Sequence, residues 1–276
     1  MLAIDIDGTL VNSRDELTPP TRCALAEAAG AGIRVVLATG RRYSRTLHLV
    51  EPLGIDVPLI TASGALVKHP LDHRTLYRAE FAAGVLSRTL AVIDAAGYEP
   101  LACADTFSEG FDYYQARAHA QGAELAEYLD RNVDFGRLWP NLITDPPPGV
   151  FHLFTMGSHA QMLRLQEILQ QEISGKLSTH VLRSPKYSGF MCEILPAGVS
   201  KWSGVQRLAS GWGIAAAAIC AVGDDVNDIP MIQGAGLGIA MGNALPAVKA
   251  AADYVVPSHD EDGLVHVVQR LLADEN

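Results

Sequence analysis

Leu2-Ala3-Ile4-Asp5-Ile6-Asp7-Gly8-Thr9 is the stretch on which the reading of this chain turns. The apolar run over residues 2–6 ends in Asp-Gly, which predicts a buried strand running into a tight turn. Side chains two apart on a strand point the same way, so Asp5 and Asp7 share a face while Gly8 lets the backbone turn sharply. Taken alone, Asp-x-Asp-Gly is equally well a plain turn.

The flanking sequence supplies the context. TPPTRCALAEAAGAG, from Thr18, carries an N-cap candidate, prolines at the first helical positions and glycines at the exit, and predicts a helix of about three turns. IRVVLA (33–38) follows as a second buried strand, a helix is expected over 43–53, and VPLITA (57–62) is a third strand. Helix between apolar strands is the pattern of a right-handed parallel crossover. Between about 82 and 196 the rhythm changes. Strands are expected at 151–157, 176–184 and 189–195, helices at 82–96, 115–131 and 158–173, and DPPPG (145–149) as a surface loop. After Gly198 the earlier pattern returns, with a helix at 200–211, strands at 217–222 and 236–240, and a last helix at 263–273. The expected fold is therefore α/β. A doubly wound parallel-sheet core is built from 1–81 plus 197–276, and an α+β domain is inserted over 82–196.

Composition restricts what such a fold does. Of 276 residues, 21 are Lys or Arg and 31 Asp or Glu, a formal charge of -10. That balance argues against nucleic acid or an anionic membrane as partner, because counterion release needs clustered basic residues. A small anionic substrate fits only if a cation supplies local positive charge. Cys23, Cys103, Cys192 and Cys220 form no CxxC pair, and no apolar run approaches the length of a membrane span. Reduced thiols and a cytoplasmic location are expected. Oligomeric state is not legible.

Ligands of an open parallel sheet bind at the carboxyl ends of its strands, and three expected ends carry unusual polar residues. The first holds Asp5 and Asp7. Leu37-Ala38-Thr39-Gly40-Arg41 offers a hydroxyl and a free amide that suit an anion, or else an ordinary Thr N-cap. Gly223-Asp224-Asp225-Val226-Asn227-Asp228 is either a site or a solvated acidic loop. Should Asp5, Asp7, Asp224 and Asp228 converge, unit charges about 4 Å apart repel by roughly 4 kcal/mol per pair at an effective dielectric of 20. A hard cation such as Mg²⁺ then fits the all-oxygen set better than a soft metal. Lys201, after Gly198-Val199-Ser200, is a cation brought back to the core, although lysines at such places commonly extend into solvent.

These residues, in this order, resemble the haloacid dehalogenase superfamily, in particular the Cof-like phosphatases with a large C2-type cap. DIDGTL matches the first motif, LATGR the second, GVSK the third and GDDVND the fourth, with ITASGA, GIAMGNALPAVKAAADYVV and DGLVHVVQRLL as further family-like strings. The resemblance implies a Mg²⁺-dependent phosphatase of a small phosphorylated metabolite, with sugar phosphates the leading class. Asp5 would be the nucleophile and Asp7 the acid and then the base. Thr39, Gly40, Lys201 and Asn227 would hold phosphate. Asp5, Asp7 (through its backbone carbonyl), Asp224 and Asp228 would form the metal site, with Asp228 orienting Lys201 or a metal-bound water. A phosphomutase or a non-catalytic phosphometabolite sensor stays open. Ser63 stands where the family often has Asn, and Trp202 where Gly is common and where it would crowd the cap hinge. Asp225 is read as outward-facing or helix-capping. His180, Arg183, Lys186 and Tyr187 are either leaving-group contacts or exposed strand-end residues. The cap is expected to set specificity.

Overall fold

The computed structural model describes residues 1–54, 56–183 and 186–273. Ser184, the end of the strand expected over 176–184, and residues 274–276 of the expected core lie outside the described residues. The chain divides into two compact units, Met1–Tyr77 with Ser200–Asn276, and Arg78–Val199. The junctions thus fall at 77/78 and 199/200, not at 81/82 and 196/197. Packing explains the shift. Phe81 lies against the second unit's core, and the amides of Ala197 and Gly198 bond to Lys176 O and Ser178 Oγ of that unit at 3.1 Å.

Along the chain, the first unit begins with β1 (Leu2–Ile4), α1 (Pro19–Gly30), β2 (Val35–Ala38), α2 (Leu47–Val50), β3 (Leu59–Thr61), β4 (Leu66–Lys68) and β5 (Thr75–Arg78), whose last residue is the first of the second unit. Thr18 caps α1 through its side chain, and Pro19 and Pro20 occupy the first positions, where no amide is needed. The helix expected over 43–53 is instead two 3₁₀ turns flanking the four-residue α2, with Pro52 in the second turn. The second unit follows: α3 (Val85–Ala95), β6 (Leu101–Ala104), β7 (Tyr113–Gln115), α4 (Ala123–Arg131), β8 (Gly136–Leu138), β9 (Val150–Gly157), α5 (His159–Glu172), β10 (Leu177–Arg183) and β11 (Phe190–Pro196). The chain then returns through α6 (Lys201–Gly211), β12 (Cys220–Gly223), α7 (Ile229–Gly234), β13 (Leu237–Ala240), α8 (Pro246–Ala251), β14 (Tyr254–Val255) and α9 (Gly263–Ala273).

The first unit's sheet has the order β14-β13-β12-β1-β2-β3-β4-β5. It is parallel from β14 through β3, and β4 then pairs antiparallel with β3, so the sheet is mixed at one edge. Ala3, Val36, Ala38 and Ala221 pack on one face with Val205 and Leu208 of α6 and Met231 of α7. Leu2, Ile4, Val35, Leu37 and Val222 alternate to the opposite face and are equally buried. Burial on both faces is why these strands read as unbroken apolar runs.

The second unit is a six-stranded sheet, β10-β11-β9-β6-β7-β8, antiparallel except between β7 and β8. Leu90 and Ile93 of α3 and Met162, Leu165 and Leu169 of α5 pack with Leu153, Cys192 and Ile194 of the sheet. Tyr128 of α4 meets Phe154 edge-on at 5.2 Å between ring centroids. The helix expected over 115–131 begins only at Ala123, because Gln115 is taken into β7 opposite Leu101.

Candidate active site

Four neighbouring strands, β12, β1, β2 and β3, end at one edge of the first unit's sheet, and the next residues of each carry polar groups. Asp5 continues β1, its amide donating to Val222 O at 3.0 Å, and Thr39 continues β2, its amide donating to Ile60 O at 2.8 Å. Asp224 follows β12. Gly8 has φ +79°, and a Cβ there would stand 2.3 Å from Asp224 Oδ2, so both backbone and space demand glycine in the first motif.

Lys201 is the first residue of α6, set there by a reciprocal cap in which Ser200 Oγ accepts from the Ser203 amide and Ser203 Oγ from the Ser200 amide, at 3.2 and 3.0 Å. Its ammonium does not extend into solvent. Nζ donates to Asp5 Oδ1 at 2.6 Å and to Asp228 Oδ1 at 2.7 Å, all three groups being buried. Asp228 Oδ2 accepts from the amides of Asp224 and Asp225, each at 3.0 Å. Both oxygens of Asp228 are thus engaged, and it organises Lys201 and the turn. Asp225 caps that turn, its Oδ1 accepting from the Val226 amide at 2.6 Å.

One lysine does not balance this much negative charge. Burial, then Asp228, with further repulsion from Asp224 and Asp7, drives the Asp5 carboxyl well above the usual range in spite of Lys201. Burial and Asp228 likewise push Asp224 up to about 7. Burial alone would lower Lys201, but Asp228 and Asp5 outweigh it and keep the ammonium charged. Oxygens of Asp5, Asp224 and Asp228 lie within 4.8 Å of one another. Three carboxylates against one ammonium, in a donor set of oxygens alone, fit a hard divalent cation such as Mg²⁺. The side chain of Asp7 does not join this group. It turns to Arg41, whose Nε and Nη2 donate to Oδ2 and Oδ1 at 2.9 and 2.7 Å.

Thr39 is buried, and its Oγ1 accepts from the Arg41 amide at 3.0 Å. A Cβ on Gly40 would lie 3.4 Å from Ser63 Oγ and 4.0 Å from Asn227 Nδ2, which brings Gly40, Ser63 and Asn227 to one place, with Thr39 the residue before Gly40. Asn227 Oδ1 is buried without a hydrogen-bond partner among the described residues. Ser63 sits at φ +51°, next to Ala62 at φ +45°, a left-handed pair unusual for residues with a Cβ. Trp202 lies two residues past the 199/200 junction. Its indole packs within the first unit's core against Gly234, where a Cβ would approach Trp202 Cε2 to 2.3 Å. His180 bonds to Glu193 and the Tyr187 hydroxyl to Asn132 Nδ2, both within the second unit.

Sequence reasoning missed three contributors. Arg41 holds Asp7, Asp15 pairs with Arg41, and Asn243 Nδ2 donates to Gly8 O at 2.9 Å and to Asp224 Oδ2 at 3.4 Å. Arg41 lies inside LATGR and Asn243 inside GIAMGNALP, so both strings were visible, but nothing in them says which distant carboxylate each reaches.

A parallel sheet with acidic residues gathered at its carboxyl edge defines a class, and the chain belongs to it: a family model of haloacid dehalogenase-like hydrolases matches residues 2–268. The protein is an enzyme of that hydrolase family. Among similar proteins, the 5-amino-6-(5-phospho-D-ribitylamino)uracil phosphatase YwtE of Bacillus subtilis is 29% identical, covering 99% of this chain and 98% of its own. The phosphatase YwpJ of the same organism is also 29% identical, covering 99% of each. The crystal structure of TM0651 from Thermotoga maritima superposes with a TM-score of 0.77 at 26% identity, over 98% of this chain and 96% of that one.

Proposed function

We propose that this chain is a Mg²⁺-dependent phosphomonoesterase acting through an aspartyl-phosphate on a small metabolite that carries its phosphate on a sugar or polyol hydroxyl. The observation that carries this is the contrast between two aspartates two residues apart. Asp5 is buried against Lys201, and Asp7 is partly exposed and paired with Arg41. Two carboxylates in unlike surroundings are what separate nucleophilic and proton-transfer roles require. The ribitylamino phosphate in the name of the similar B. subtilis enzyme supports a polyol phosphate.

In the first step a carboxylate oxygen of Asp5 bonds to phosphorus and the ester P–O bond breaks. Its electron pair leaves with the substrate oxygen, which takes a proton from the Asp7 carboxyl. In the second, the Asp7 carboxylate takes a proton from water as the water oxygen bonds to phosphorus. The bond to Asp5 breaks, restoring its carboxylate and releasing phosphate. Lys201, the Thr39 hydroxyl, the Gly40 amide and Asn227 Nδ2 would donate to the phosphoryl oxygens, where charge is spread in the transition state. Asp5, Asp224 and the Asp7 carbonyl would hold Mg²⁺, with Asp228 behind them. The ion, when bound, would neutralise the carboxylates and the phosphoryl charge. Three of the four cysteines are buried and none stands in a CxxC pair, which accords with a reducing, cytoplasmic setting.

The test is phosphate release from p-nitrophenyl phosphate and a panel of sugar and polyol phosphates, with and without Mg²⁺. Turnover that needs Mg²⁺ and disappears in Asp5→Asn is expected. Undiminished turnover in Asp5→Asn refutes the reading, and an isomerised sugar phosphate in place of free phosphate replaces it with a mutase.

A further inference from the structure

Arg41 is fixed from every side. Its side chain is only 10% exposed. Its amide donates to Thr39 Oγ1 at 3.0 Å, and its carbonyl accepts from the Ala62 amide at 2.9 Å. The guanidinium takes Asp7 with two parallel bonds, Nε to Oδ2 at 2.9 Å and Nη2 to Oδ1 at 2.7 Å, and Nη2 also bonds to Asp15. Burial would lower its pKa, but the bonds and charges of Asp7 and Asp15 outweigh that and raise it further.

Asp15 is itself held. It stands at φ +64° in a turn where Asn12 Oδ1 accepts from the amides of Arg14 and Glu16 at 2.9 and 3.0 Å, and the Asn12 amide donates to Glu16 O at 3.0 Å. The Ser13 amide is tied to Asp260 Oδ1 at 2.8 Å. A rigid turn thus braces Arg41, and Arg41 braces Asp7.

Asp7 has reason to need this. Its side chain is 38% exposed, so without a partner it would exchange rotamers in solvent. A guanidinium fork fixes both oxygens of a carboxylate at once, which a single ammonium does not do. Each carboxylate oxygen has two acceptor sites, and the fork uses one on each, leaving the other for the proton that moves.

We propose that Arg41 is the positioning residue for Asp7, holding the proton-transfer carboxyl toward the leaving and attacking oxygens, with Asp15 as its brace. This rests on the reading of Asp7 as acid and base. The inference reaches further than the four motifs, because it assigns a role to the last residue of LATGR and to the turn at 12–16.

The two half-reactions separate this role from a merely structural one. With p-nitrophenyl phosphate the departing p-nitrophenolate is stable and needs no proton, so phosphorylation of Asp5 does not depend on Asp7, whereas attack by water does. Arg41→Gln, Asp7→Asn, the double variant and Arg41→Lys are compared by rapid mixing and steady-state turnover. Arg41→Gln is expected to release about one p-nitrophenol per chain in a burst close to the wild-type rate, then to turn over roughly 10- to 100-fold more slowly, short of the roughly 100- to 10,000-fold that general acid–base catalysis supplies because Asp7 itself is retained. Asp7→Asn shows the same pattern, the double variant is no slower than Asp7→Asn, and Arg41→Lys recovers little of the loss. Equal loss of burst rate and turnover in Arg41→Gln overturns the proposal. So does a double variant whose effects multiply. If Arg41→Gln does not fold, Asp15→Asn decides. Asparagine tolerates positive φ, and a burst followed by slowed turnover supports the brace, while wild-type turnover overturns it. A wild type with no turnover, or with turnover that survives Asp5→Asn, overturns the parent reading as well. Abolished turnover in Asp5→Asn with equal losses in Arg41→Gln overturns only the role of Arg41.

Discussion

Replacing Asp224 by Asn should make the metal-free protein more stable, although it removes a residue of the site. Burial and the neighbouring Asp228 push the Asp224 carboxyl up to about 7, against 3.8 for an ordinary aspartate. At about 1.4 kcal/mol per pKa unit, keeping it charged costs the fold up to about 4 kcal/mol. The sign follows from proton uptake. Between 3.8 and about 7 the folded state holds a proton that the unfolded chain has lost. Stability therefore falls as pH rises through that window, and the penalty is complete above it. Asparagine has no charge to bury, and its amide can face Thr9 Oγ1, a hydroxyl able to accept, while its carbonyl keeps the bond from Asn243 Nδ2. Thermal melts in EDTA should give equal stabilities for wild type and Asp224→Asn near pH 4. At pH 8 the variant should lead by about 2–4 kcal/mol, on the order of 5–10 °C for a chain of this size. Mg²⁺ should then raise the wild-type midpoint by mass action and leave the variant almost unmoved. A variant that melts below wild type at pH 8 in EDTA, or keeps the full response to Mg²⁺, refutes the charge argument.

Gly8→Ala should lose about 2 kcal/mol or more, because φ +79° is costly for a residue with a Cβ and the methyl would stand 2.3 Å from Asp224 Oδ2; urea titration measures it. Lys201→Met leaves Asp5 and Asp228 facing each other without their cation and should destabilise by about 3–5 kcal/mol, with turnover abolished; melts and phosphate release at one pH check both. Thiol titration should find one fast site, the exposed Cys23, while Cys192 and Cys220, both pushed up to about 12 by burial, react only on unfolding.

The strands that were legible are those buried on both faces, such as Val35–Ala38 and Val150–Gly157, because burial writes itself as an apolar run. Leu66–Lys68, Tyr113–Gln115 and Gly136–Leu138 are three residues each, too short for any period to register, and exist as strands because of what they pair with. The Ala-rich run at 215–218 illustrates the same limit. Its end overlaps the strand expected over 217–222, yet Ala216–Ala218 folds as a 3₁₀ turn before β12, since alanine favours helical turns and the pairing partner Leu2 begins only opposite Cys220. In the site, the motifs brought Asp5, Asp224, Asp228 and Lys201 to attention, and the structure draws them together. The side-chain partner of Asp7 was hidden because it is decided by the path of the chain between residues 7 and 41.

Strand β1 of the first unit has one neighbour from early in the chain and one from very late, Leu2 lying opposite Val35 on one side and Cys220 on the other. A ribosome adding about 5–20 residues per second makes β1 wait at least ten seconds or so for that second neighbour. During this interval a growing polypeptide shows an open sheet edge, a natural place for a chaperone to bind or for aggregation to start. It also lacks Lys201, Asp224 and Asp228, so the charged cluster at the sheet's carboxyl edge is completed only late in translation.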